Sequence, residues 1–168
     1  MTLLKHRRAA LFFLLLSPLS AQVPVADDGP PILRAYELPG AGEEVPLERI
    51  REICTFYGLD DLWRKIERDP PPRPFVSDGV TGWFEDWRGV SLYPAGFLHD
   101  LKYWAGYPGE DVARLIADAE LMMDVARLLG STAMAETMFH GVRVGGTEHW
   151  RAAFSWGFGR TRPATSRN

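Results

Sequence analysis

Three aspartates and one histidine in the middle of the chain have the types and spacing to do chemistry together. His99-Asp100-Leu101-Lys102-Tyr103 falls in a stretch where Phe97, Leu98, Leu101 and Trp104 recur at helical spacing. On a helix, His99 and Tyr103 share a face one turn apart, and Asp100 turns onto a neighbouring face. Such a helix offers an imidazole to one pocket and a carboxylate to an ion beside it. Upstream, Asp78-Gly79 lies in an irregular, glycine-containing segment that can turn carbonyl oxygens inward. Carboxylate and carbonyl oxygens are the donors that hard cations such as calcium take. Downstream, Asp118 lies on a second helical stretch, at the border of an apolar stripe between Leu115 and Met122. An antiparallel partner helix brings it against His99, where a carboxylate fixes the imidazole tautomer and stabilises its protonated form. Each residue also has a plainer role: a satisfied core histidine, a surface aspartate, a solvated helix edge.

The elements that must position these groups are mostly helices. Pro46 starts a helix that carries Leu47, Ile50, Ile53, Cys54 and Tyr57, and Gly58 stops it. Asp60 caps a short second helix with Leu62, Trp63 and Ile66. Four prolines between Asp69 and Phe75 break the pattern. Phe75 to Ser91 is irregular, with small residues between aromatics; Trp83, Phe84 and Trp87 there read as loop packing or as contacts to a membrane surface. The His99 helix runs from about Leu92 to Trp104. After the turn Gly106–Gly109, Glu110 and Asp111 open the next helix, with Val112, Leu115, Ile116, Ala119, Met122, Met123, Ala126 and Leu129 as its apolar stripe. Gly130 ends it, and a further helix runs from Ser131 to about His140. The predicted class is all-α, with two long antiparallel helices carrying the site, shorter flanking helices and an irregular loop region.

With 168 residues, the chain has room for one domain with a real core. A net charge of −3 argues against a nucleic-acid partner, which needs a basic surface. Residues 1–21 have the layout of a signal peptide: a basic start at Lys5, Arg7 and Arg8, an apolar run from Ala9, and small residues at Ser20-Ala21. That implies a secreted or periplasmic protein, or one held by an uncleaved N-terminal anchor. Residues 22–45 are rich in Pro, Gly and Asp and read as an extended arm, leaving 46–168 as the helical domain. Cys54 is the single cysteine, so no internal disulfide is available, and its helical apolar neighbours place it in the core.

Other chemistries are excluded by missing parts. There is no Gly-rich loop ending in Lys-Ser/Thr, so no nucleotide P-loop. His140 and His149 fit no standard zinc spacing. Ser155 sits in a stretch faintly like a hydrolase nucleophile elbow, but no His follows it.

His-Asp-x-x-Tyr on a helix, a preceding Asp-Gly loop and an aspartate on the next, antiparallel helix together resemble the phospholipase A2 superfamily. The resemblance covers roughly Phe75 to Arg160 and is nearest to bacterial secreted members. It extends to Gly141-Val142-Arg143-Val144-Gly145-Gly146 and Trp156-Gly157-Phe158-Gly159. It implies calcium-dependent hydrolysis of a fatty-acyl ester in a glycerophospholipid at a membrane surface. His99 would then be the general base and Asp118 its orienting partner, with Tyr103 bonded to Asp118. Calcium would be held by Asp100, Asp78 and carbonyls around Gly79, Val80 and Gly82. The chain departs from the animal enzymes in its cysteines: Lys102 stands where they have one between the Asp and the Tyr, and the cysteine-rich calcium loop is replaced by Asp78-Gly79-Val80-Thr81-Gly82. A non-catalytic exported binding protein on the same scaffold is the alternative.

Overall fold

The computed structural model describes residues 29–79, 86–150 and 152–161. The fold is mostly helical, with five α-helices among the described residues: α1 (Leu47–Tyr57), α2 (Asp60–Arg68), α3 (Tyr93–Ala105), α4 (Asp111–Leu129) and α5 (Thr132–Gly145). Two antiparallel strand pairs accompany them. β1 (Glu44–Val45) pairs with β2 (Phe75–Val76), and β3 (Asp86–Trp87) pairs with β4 (Val90–Ser91).

α3 is the central element. Its sequence is apolar on nearly every side, and a helix of that kind must be covered all round. Phe97 packs edge-on against Phe75, and Trp104 lies beside the same ring. α4 runs back along α3, so that His99 and Tyr103 meet Asp118 and Lys102 meets Glu120. Gly130 takes a left-handed backbone, φ 62°, that ends α4 and lets α5 fold back onto it. The tail then returns to α3: the Trp156 indole donates to the Tyr107 carbonyl and the Gly157 amide to the Tyr103 carbonyl.

Several sequence expectations are corrected by the structure. Leu59, not Asp60, precedes the first residue of α2, and Asp60 makes no capping bond; it opens the helix, where its charge favours the positive end. α5 continues five residues past His140, because packing on α4 overrides the low helical propensity of Gly141 and Gly145. Residues 29–45 lie along the domain, with Ile32 and Val45 buried. The main correction concerns α4. Of the expected stripe, Met122, Ala126 and Leu129 pack against the core, while Val112, Leu115, Ile116 and Met123 face outward, with Val112 72% and Ile116 54% exposed. The buried face is Arg114, Ala117, Asp118, Leu121 and Val125. This helix has two apolar edges, and the core takes the one whose two charged residues find buried partners. Cys54 is in the core as expected, and burial pushes its thiol up to about 12.

Candidate active site

α3 and α4 build the centre of the site. Asp118 is fully buried, and its Oδ1 accepts from the Tyr103 hydroxyl at 2.6 Å. The same oxygen is 2.8 Å from Nε2 of His99. With Nε2 committed to Asp118, the ring nitrogen left for the adjoining cleft is Nδ1. Burial holds the His99 imidazole below its ordinary range, outweighing the pull of Asp118 towards the charged form. Burial also works to raise Asp118. The bonds from His99, Tyr103 and Arg143 together overcome it and keep Asp118 below the ordinary carboxylate range. The outcome is a neutral imidazole beside an ionised carboxylate, the state in which a histidine accepts a proton.

A second group sits on the neighbouring face of α3. Asp100 is buried, and its Oδ2 accepts from the Ser77 hydroxyl at 2.7 Å. The Ser77 oxygen in turn accepts from the Gly79 amide at 3.0 Å. Gly79 takes φ 80°, which bends the chain so that Asp78 is brought against Asp100. Burial raises the Asp100 carboxyl well above its ordinary range; the Ser77 bond opposes this and the charge of Asp78 adds to it. Two carboxyl groups facing each other in a half-closed site form a hard-oxygen donor set that suits calcium. Among the described residues no three His, Cys, Asp or Glu side chains gather as a metal cage. Val80 and Gly82, the other expected ligands, lie outside the described residues, as do Trp83, Phe84 and residues 1–21.

Both groups open on one cleft of about 460 Å³. Asp78, Gly79, His99, Asp100 and Tyr103 line one side of it. α5 supplies an apolar wall through Met138, Gly141, Val142 and Gly145, and Phe154 closes the end. The cleft therefore joins a buried His–Asp pair, two adjacent carboxyl groups and a largely apolar slot.

The structure thus brings together His99, Tyr103 and Asp118, and separately Asp78, Gly79 and Asp100, along one cleft. Sequence reading missed three contributors. Ser77 was legible as the residue next to Asp78. Arg114, which lies one turn before Asp118 on α4, is 3.8 Å from Oδ2 of Asp118. Arg143 donates to that oxygen at 2.7 Å, and no local signal announces it, since only the docking of α5 brings it there. Comparison with protein-family models, with curated proteins and with solved structures found no match to this chain.

Proposed function

We propose that this protein is a calcium-dependent carboxylic-ester hydrolase of phospholipase A2-like architecture, acting on fatty-acyl esters of glycerophospholipids at a membrane surface. The observation that carries the reading is the His99–Asp118 pair: Nε2 is tied to a buried, ionised carboxylate, and Nδ1 is left to a cleft that also holds Asp100 and Asp78. His99 takes a proton from a water molecule at Nδ1 as the oxygen of that water bonds to the ester carbonyl carbon. Asp118 stabilises the imidazolium so formed and keeps the ring from turning. The same Nδ1 then returns the proton to the departing alcohol oxygen as the acyl C–O bond breaks, leaving a fatty acid and a lysophospholipid. Tyr103 and Arg143 keep Asp118 in place. Asp100 and Asp78, with carbonyls from residues 79–82, would hold the calcium ion, which would supply Lewis-acid polarisation of the ester carbonyl. The apolar α5 wall suits an acyl chain, and the basic-then-apolar start of the sequence supports action outside the cytoplasm.

The test is calcium titration by calorimetry followed by phospholipid hydrolysis, using wild type, Asp100→Asn and His99→Gln. The expected pattern is binding lost in Asp100→Asn, and binding kept but turnover lost in His99→Gln. Calcium binding without turnover in the wild type transfers the reading to a non-catalytic exported binding protein. No binding at millimolar calcium sinks the calcium reading itself.

A further inference from the structure

We infer that Arg143 is a positioning residue: it holds the second oxygen of Asp118, and so ties the α5 wall of the cleft to the orientation of the base. This rests on the reading of His99 and Asp118 as a base and its partner. Asp118 spends Oδ1 on both the His99 ring and the Tyr103 hydroxyl. Oδ2 is held by Arg143 Nη1 at 2.7 Å, its nearest cation. Arg114 stands farther from that oxygen, at 3.8 Å, and its hydrogen bond goes elsewhere. It donates to the main-chain carbonyl of Arg143 at 3.3 Å, one of the carbonyls that the end of α5 leaves without a helical partner. One arginine therefore seats the backbone from which the other reaches the carboxylate. The end of α5 also abuts Tyr103 directly: a Cβ built on Gly146 lies 2.6 Å from the Tyr103 hydroxyl oxygen.

A wholly buried carboxylate with one oxygen unpaired is costly, and it relaxes by rotating or by taking up a proton. A protonated Asp118 would donate to Nε2 instead of accepting from it. The imidazole proton would then sit on Nδ1, the nitrogen that faces the cleft, and no acceptor would remain there. A guanidinium prevents this, because it stays charged and here holds Oδ2 directly through Nη1. α5 also carries Met138, Gly141, Val142 and Gly145 into the cleft wall. Moving that helix changes the slot and releases the base partner in one step.

The experiment compares wild type, Arg143→Met and Arg143→Lys on two readouts. The first is the ¹⁵N spectrum of the histidine rings, with His99 assigned by signals lost in His99→Gln. The second is kcat and KM on a short-chain phosphatidylcholine with calcium. The wild type is expected to show one His99 tautomer, with its proton on Nε2. In Arg143→Met that single tautomer is lost, and kcat falls by about 10²-fold, the scale of an ångström-sized misplacement. KM is expected to stay within about twofold, since Arg143 does not meet the substrate. Arg143→Lys falls between the two. Wild-type ring signals in a folded Arg143→Met protein would overturn the proposal. If Arg143→Met does not fold, Arg143→Gln decides: a neutral amide supplies no charge to Oδ2, so unchanged ring signals in a folded Arg143→Gln protein overturn the proposal there as well. If the wild type hydrolyses no lipid, the enzyme reading fails, while the ring spectra still judge Arg143.

Discussion

Burial holds the Asp100 carboxyl well above its ordinary value of 3.8, against the Ser77 bond and with the Asp78 charge adding to the effect. A folded-state value above the unfolded one contributes stability at low pH, lost as pH rises through the folded value. At neutral pH an ionised Asp100 therefore costs stability unless a cation offsets it. Asp100→Asn should raise the melting temperature in chelator at pH 7 and abolish any rise on adding calcium. A lower melting temperature in chelator would contradict this. His99 has the opposite sign. Its folded value lies below 6.5, so the stability it contributes is present above about pH 6.5 and lost as pH falls below that. The window for Asp118 is lower, below its ordinary 3.8, because that value is depressed too. Asp100 pulls the other way over the same range, so the prediction is a difference: from pH 7 to pH 5 the urea midpoint should shift further downward in the wild type than in His99→Gln. Equal slopes in the two proteins would remove His99 as the cause.

At the scale of elements, α4 carries two apolar edges of which only one enters the core. Leu121 is 3% exposed and lines the cleft beside α3, whereas Ile116 is 54% exposed. Leu121→Ala should cost about 2–5 kcal/mol by loss of burial and cavity formation. Ile116→Ser should stay within about 0.5 kcal/mol, as for an ordinary surface change. Urea denaturation of the two variants checks this, and a larger cost for Ile116→Ser would restore the outer stripe as a packed face. Periodicity joined the outward Val112, Leu115, Ile116 and Met123 to the core-packed Met122, Ala126 and Leu129 in one stripe, because it counts apolar residues. It cannot count the value of burying Arg114 and Asp118 among partners on other helices.

For the whole molecule, the tail acts as a latch across the end of α3. The Trp156 ring packs edge-on against Tyr103, its indole donates to the Tyr107 carbonyl, and its amide donates to the Gly146 carbonyl at the end of α5. The Arg73 amide bonds the Gly159 carbonyl, which ties the tail to the chain leading into β2. Trp156→Ala should therefore cost about 3–5 kcal/mol. It should also loosen Tyr103, so that on the proposed function hydrolysis drops along with stability; both are read from one preparation, by denaturation and by assay. A stability loss with full activity would confine the latch to a structural role.

Helix positions, the His-Asp-x-x-Tyr spacing and the core placement of Cys54 were determined by the sequence alone, because 3.6-residue periodicity and glycine stops are local properties. The meeting of His99 with Asp118 was also legible, since a short turn between two long helices dictates an antiparallel pair. Which face of α4 is buried was decided only by tertiary structure. So was the arrival of Arg143 from α5, and so was the coupling of Ser77 to Asp100. These depend on which buried charges find partners, and a partner far away in the chain leaves no periodic trace near the residue it serves.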